Sequence, residues 1–128
     1  MYGVAIESYF SAAHNLRGYQ GKCEQLHGHN WKVQVKLVSR RLDKLGMVCD
    51  FRELKKKLEK VIKELDHSHL NQLPYFKKNN PTSEKIAEFI YSNLKKLFKG
   101  KTIVLKEVLV WETETSCAIF NEENSENV

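Results

Sequence analysis

The chain has 128 residues, a formal net charge of +5, 41% hydrophobic and 29% charged residues. These values fit one globular domain able to bury an ordinary core. They exclude a weakly hydrophobic disordered chain, and no apolar run approaches the roughly 20 residues of a membrane helix.

Tyr2, Val4, Ile6, Ser8 and Phe10 alternate with Gly3, Ala5, Glu7 and Tyr9, the period of a strand that leads into Ser11-Ala12-Ala13-His14. Residues 15–26 read as a loop containing Gly18 and Gly21. Trp31, Val33, Val35 and Leu37 then alternate with Lys32, Gln34 and Lys36, a half-buried strand, and His27 and His29 share the parity of its apolar set. Asp50 followed by Glu53 predicts a helix start of the capping-box type, with Asp as the cap. Phe51, Leu54, Leu58, Ile62 and Leu65 recur at helical spacing up to Asp66. Pro81-Thr82-Ser83-Glu84 opens a second helix with Ile86, Ile90, Leu94 and Leu97 as its stripe, and Gly100 closes it. Two strands follow, at about 102–112 and 116–121, joined by Thr113-Glu114-Thr115. The order ββααββ predicts an α+β domain over residues 1–120, with an antiparallel four-stranded sheet and two helices on one face. Residues 121–128 form a polar tail. The sheet edges need covering, and oligomerisation is one physical remedy.

The first seven residues lack a basic region and a cleavage site, so the expectation is a cytoplasmic protein without a signal peptide. Cys23, Cys49 and Cys117 are odd in number and widely spaced, which points to reduced thiols rather than a disulfide framework. Cys49 and Cys117 read as small core residues. The basic balance suits an anionic partner. Lys55, Lys56, Lys57, Lys60 and Lys63 are interspersed with Glu53, Glu59 and Glu64 on one helix, however. Mixed signs describe a solvated face. The expected partner is therefore a phosphorylated small molecule, not nucleic acid and not a membrane.

Cys23, His27, Gly28 and His29 form Cys-x-x-x-His-Gly-His, and His14 ends the preceding strand. Histidines two apart on a strand point to one face, so both imidazoles can reach one ion. A third histidine from a neighbouring strand leaves a fourth tetrahedral position open, the arrangement of catalytic rather than structural zinc. Cys23 can be a fourth ligand or a reactive group beside the metal. A lone His-x-His is equally at home in an ordinary strand. The other ordered motifs add to it.

Phe10-Ser11-Ala12-Ala13-His14, Cys23 to Asn30, Val48-Cys49-Asp50-Phe51, Leu65-Asp66-His67-Ser68-His69-Leu70-Asn71, Asn80-Pro81-Thr82-Ser83-Glu84 and Val110-Trp111-Glu112-Thr113 occur in this order. Together they resemble the 6-pyruvoyltetrahydropterin synthase / 6-carboxytetrahydropterin synthase family, of the tunnelling (T) fold. The resemblance implies that His14, His27 and His29 bind zinc. It implies that Cys23 is the proton acceptor, with Asp66 and His67 as its relay. Glu112 resembles the carboxylate that receives the pterin edge and can also join the relay. Thr82 and Ser83 resemble the segment lining the pterin pocket. His69 falls at a variable position of its motif and reads as a bystander. An Asp66 that merely ends a helix would oppose the helix dipole, which favours a functional role. The family assembles as two stacked trimers with active sites between subunits, so a homohexamer is implied.

The implied substrate is 7,8-dihydroneopterin triphosphate. The leading expectation is the zinc-dependent lyase that releases acetaldehyde and triphosphate to leave 6-carboxy-5,6,7,8-tetrahydropterin, in queuosine and other 7-deazapurine synthesis. Alternatives are the pyruvoyl branch, which eliminates triphosphate, and folate-type cleavage to 6-hydroxymethyl-dihydropterin. Glu24 creates a Glu-x-x-His-Gly-His that resembles the last branch, although a solvated loop glutamate is the simpler meaning. A non-catalytic zinc or pterin-binding module is disfavoured by Cys23, Asp66 and His67 occurring together.

Overall fold

The computed structural model describes residues 1–22, 24–98 and 102–122. Two long strands, β1 (Tyr2–His14) and β2 (His27–Ser39), pair antiparallel along their whole length, from Tyr2 opposite Ser39 to His14 opposite His27. Helix α1 (Phe51–Ile62) follows, then a two-residue strand β3 (Ser68–His69), a 3-10 turn (Leu70–Gln72), and helices α2 (Pro74–Lys78) and α3 (Ser83–Lys96). Strands β4 (Val104–Thr113) and β5 (Ser116–Phe120) close the chain. The sheet order is β3-β1-β2-β4-β5.

The α+β architecture expected from the sequence is present, with two differences. The sheet has a fifth strand, since β3 adds parallel to β1 through Ala12–Ser68 and Ala13–His69. Two residues carry no readable alternation, and only the approach of β1 makes them a strand. The short α2 starts at Pro74, whose fixed φ suits a first helical position. It lies between the two expected helices.

Alternation on β1, β2 and β4 sends Ile6, Phe10, Ala12, Trp31, Val33, Val35, Leu37, Val108 and Val110 to one face, where all are buried. Leu54, Leu58, Val61 and Ile62 of α1 and Ile86, Ala87, Ile90 and Leu94 of α3 cover that face. Asp50 caps α1 by accepting from Arg52 N, and Thr82 caps α3 by accepting from Lys85 N. Phe51, expected in the α1 stripe, is instead exposed, because it is the first residue of the helix and precedes the turn that meets the sheet. Helix α1 stops at Ile62, so Asp66 lies beyond its end in a turn. Cys49 packs half-buried against the core as expected. Cys117 is exposed, because its pairing with Trp111 puts it on the face away from the helices. The expected helix stop at Gly100 lies outside the described residues, as does residue 123 onward of the tail.

Ile90 is fully buried beneath the sheet at mid-helix. Ile90→Ala is expected to lower unfolding free energy by about 2–5 kcal/mol, the usual loss for a large core aliphatic. Urea denaturation of the two proteins measures it, and a loss below about 1 kcal/mol would show that the site collapses around the change.

Candidate metal centre and its relay

The apolar stripe of the sheet does not end at Phe10 and Trp31, which stack at 5.8 Å between ring centroids. It continues with the same parity into His29, paired with Ala12, and the His14–His27 pair. Trp31 forms a wall of this cluster, its ring edge-on to His14 and His29 at 4.8 and 5.2 Å. On β4, Glu112 continues the inward series Val108, Val110. The β4–β5 ladder slips between Trp111 and Thr113, so Glu112 has no β5 partner. Irregularities of this kind re-aim side chains near functional sites.

One ligand atom each from His14, His27, His29 and Glu112 lies within 4.8 Å of all the others. His14 Nε2 is 3.1 Å from His27 Nε2, and Glu112 Oε1 lies 3.1, 3.9 and 3.0 Å from the Nε2 atoms of His14, His27 and His29. The outer nitrogens decide what these contacts mean. His14 Nδ1 donates to the Pro81 carbonyl at 2.8 Å and His27 Nδ1 donates to the Gln25 carbonyl at 2.9 Å. A carbonyl only accepts, so in the neutral rings both Nε2 atoms present lone pairs to each other. His29 Nε2 is buried with no hydrogen-bond partner despite its nearness to Glu112. The Nε2 lone pairs of His14 and His27 and the Glu112 carboxylate, converging on one point, repel unless a proton or a cation sits between them. Three imidazoles, two of them oriented by outer hydrogen bonds, with a carboxylate, are a donor set that fits a divalent metal. Burial lowers the His29 pKa, against the opposing pull of Glu112, a shift toward the neutral form that binds metals.

The Asp66–His67 pair sits three residues back along β1. Ser11 N donates to Asp66 Oδ1 at 2.9 Å, and Asp66 Oδ2 lies 3.0 Å from His67 Nδ1. His67 has a φ of 54°, held there by its own amide donating to the Ser11 carbonyl. A left-handed non-glycine at a candidate site is the kind of backbone strain that persists when surrounding bonds over-determine it. Its ring is 83% exposed, open to a ligand or another chain. The Ser11 amide bond, followed by the contact with His67, holds the Asp66 carboxyl below its ordinary value.

Among the other residues singled out from sequence, Thr82 is occupied in capping α3, with Ser83 beside it as the first helical residue, and the preceding Pro81 carbonyl is what touches His14. Glu24 is not a freely solvated loop residue. Its carboxylate accepts from Leu16 N at 3.2 Å and lies 3.7 Å from His27 Nδ1. His69 lies in β3 with a buried Nε2 that has no hydrogen-bond partner. Cys23 lies outside the described residues. Sequence reasoning did not find Glu112 as a fourth member of the histidine cluster, nor the Pro81 and Gln25 carbonyls. The only available signal was the inward parity of Glu112 after Val108 and Val110.

The sequence model of the 6-pyruvoyl tetrahydropterin synthase family matches residues 3–123. The chain belongs to that family, whose T-fold accounts for the sheet-and-helix layers described above. It is 40% identical over 125 residues to the 6-carboxy-5,6,7,8-tetrahydropterin synthase of Synechocystis, covering 94% of this chain and 93% of that protein. It is 39% identical over 109 residues to the dihydroneopterin monophosphate aldolase of Pyrococcus furiosus, covering 85% and 88%. The solved 6-pyruvoyl tetrahydropterin synthase of Caenorhabditis elegans superposes with a TM-score of 0.80 at 28% identity, covering 96% of this chain and 98% of that one.

Because its folded pKa is depressed, Asp66 contributes stability above its ordinary value of 3.8, and this is lost as pH falls through the folded pKa. The melting-temperature advantage of the native protein over Asp66→Asn should hold near neutrality and shrink below that value. Melts across the pH range measure it, and an advantage that persists in stronger acid would refute the ionic origin.

Proposed function

We propose that the protein is a zinc-dependent 6-carboxy-5,6,7,8-tetrahydropterin synthase, a carbon–carbon lyase that converts 7,8-dihydroneopterin triphosphate and water to the carboxypterin, acetaldehyde and triphosphate, in queuosine and other 7-deazapurine synthesis. The observation that carries this reading is the convergence of His14, His27, His29 and Glu112 on one point at the end of the sheet. The Synechocystis relative supports the choice of branch.

His14, His27 and His29 would hold the ion, the Nε2 atoms of His14 and His27 being turned inward by the Pro81 and Gln25 carbonyls. Zinc held there supplies Lewis-acid polarisation of hydroxyl oxygens on the substrate side chain. Glu112 is the natural acceptor for the two N–H groups of a pterin edge, through charge-assisted hydrogen bonds. From its position beside the histidines it would hold the pterin so that the side chain reaches the centre. Cys23 takes the proton as general base, since a thiolate near a cation is competent around neutrality. Asp66 orients His67, and His67 passes protons to and from Cys23. Thr82 and Ser83 line the pterin pocket. In this reading the chain works as a homohexamer of two trimers in the cytoplasm. Among the described residues the outer edge of β1 pairs only with the two-residue β3, at Ala12 and Ala13, which leaves hydrogen-bonding groups for a neighbouring copy. Among the described residues no helix is long and apolar enough to cross a membrane.

A second reading, cleavage to 6-hydroxymethyl-dihydropterin, is favoured by Glu24 lying near His27 and by the Pyrococcus relative named as an aldolase. The pyruvoyl branch, which loses triphosphate and keeps the carbon chain, is a third outcome.

Product analysis after incubation with 7,8-dihydroneopterin triphosphate tests the branch. Carboxypterin with acetaldehyde is expected. Hydroxymethyl pterin as the main product would move the assignment to the aldolase, and triphosphate without acetaldehyde would move it to the pyruvoyl enzyme.

Freshly purified protein should contain one zinc per chain by elemental analysis, and His27→Ala should lose most of it while keeping the fold. Protein that holds no metal, and gains no activity on adding zinc, would refute the cofactor. Cys23→Ala should lower kcat by about 10²–10⁴-fold with pterin affinity little changed. Glu112→Gln should weaken pterin binding by about 2–5 kcal/mol while zinc stays bound. Zinc loss in the Glu112 variant would instead make the carboxylate a metal ligand.

A further inference from the structure

The three residues that follow His14 have an unusual set of hydrogen-bond partners. Asn15 N donates to Asn71 Oδ1 at 3.0 Å, and Asn71 Nδ2 donates back to the Asn15 carbonyl at 2.8 Å. Leu16 N donates to Glu24 Oε1 at 3.2 Å, and Glu24 N donates back to the Leu16 carbonyl at 2.9 Å. Arg17 N donates to Asn80 Oδ1 at 2.8 Å, and Asn80 Nδ2 donates back to the Arg17 carbonyl at 3.0 Å. All six main-chain groups of an irregular segment are therefore satisfied in reciprocal pairs. Loop backbone ordinarily turns such groups to water. Here two asparagine side chains, each offering one acceptor and one donor pair, imitate the edge of a strand.

The partners come from different places around the cluster. Asn71 belongs to the 3-10 turn after β3, and Asn80 immediately precedes Pro81, whose carbonyl receives His14 Nδ1–H. Glu24 lies on the far side of the loop, with its carboxylate also 3.7 Å from His27 Nδ1. The Arg17 guanidinium adds a bond to the Phe76 carbonyl in α2. His14 is thus fixed on three sides: by pairing with His27, by the Pro81 carbonyl, and by a backbone exit with no free hydrogen-bonding group.

The geometry points to Asn71, Asn80 and Glu24 as positioning residues that clamp the Asn15–Arg17 segment and thereby set the inward aim of His14 and His27 toward the ion, an inference that rests on the metal reading of the preceding section. Partners beyond the ligands themselves commonly change metal affinity by 10–100-fold when removed. Glu24 acts here as an acceptor for the Leu16 amide, a part that a neutral glutamine can also play. That separates positioning from acid–base chemistry, which glutamine cannot perform.

The test compares Asn71→Ala, Asn80→Ala, Glu24→Ala and Glu24→Gln in the full-length protein. Hydrogen exchange at the Asn15, Leu16 and Arg17 amides reads the clamp, and chelator competition with zinc ion reads the centre. Each alanine variant should lose protection at its own partner amide, and its zinc dissociation constant should rise by about 10–100-fold. Glu24→Gln should keep both properties close to native. If Asn71→Ala or Asn80→Ala fails to fold, the Glu24 pair carries the comparison. Unchanged protection in the alanine variants would overturn the clamp. Lost protection with unchanged zinc affinity would show a merely structural loop and overturn the positioning role. Equal losses in Glu24→Gln and Glu24→Ala would overturn the part assigned to the acceptor. Native protein that binds no zinc would overturn the metal reading and this role with it. Failure of the clamp alone looks different, because native and alanine proteins then bind zinc equally.

Discussion

The register between β1 and β2 is the constraint on which the rest of the molecule depends. Thirteen consecutive pairs run without a slip from Tyr2–Ser39 to His14–His27. Side chains alternate strictly along such a ladder, so a one-residue shift of β2 against β1 would send Trp31, Val33 and Val35 to water and bring Lys32 and Lys36 inward. Fully burying one such apolar side chain contributes about 1.5–3 kcal/mol. The apolar half of the hairpin therefore secures the register for the histidine half, which has no such driving force of its own. Three polar rings are held together because the two strands that carry them are locked in register elsewhere.

What happens at the end of that ladder follows from the same layering. The helices cover the inward face as far as Trp31, and the core then gives way to a cluster of imidazoles walled by that indole. Main-chain carbonyls of Pro81 and Gln25 take up the outer nitrogens of His14 and His27, which leaves the inner lone pairs without hydrogens. Glu112 arrives from β4 at a slip in the ladder, carrying negative charge to the same point. Each bond is ordinary in strength. Their joint effect is a concentration of acceptors for which a cation is the natural complement.

A centre of this kind serves several pterin reactions equally well, because polarising a side-chain oxygen and holding a pterin edge are common to all of them. The reactions part at the acid–base groups. In the proposed reading those groups include Asp66 and the strained His67 beside β1, with Glu24 near His27. Glu24 already accepts from the Leu16 amide in the loop. The exposure of His67 also fits a site completed by something outside the single chain.

Much of this was legible in the residue order. Alternation defined β1, β2 and β4 and placed His27 and His29 on the inward face, because side-chain parity is a local property of extended backbone. Helical spacing and the Asp50 and Thr82 caps located α1 and α3 for the same reason. The ordered motifs were enough for the family. Tertiary structure alone decided the rest. The strand β3 exists only because β1 lies beside it, and Cys117 is exposed because its pairing with Trp111 turns it away from the helices. The Pro81 and Gln25 carbonyls and the reciprocal bonds around Asn15–Arg17 use the backbone, which every residue type carries alike. Such bonds leave no mark in a sequence, since their specificity lies in where distant segments meet.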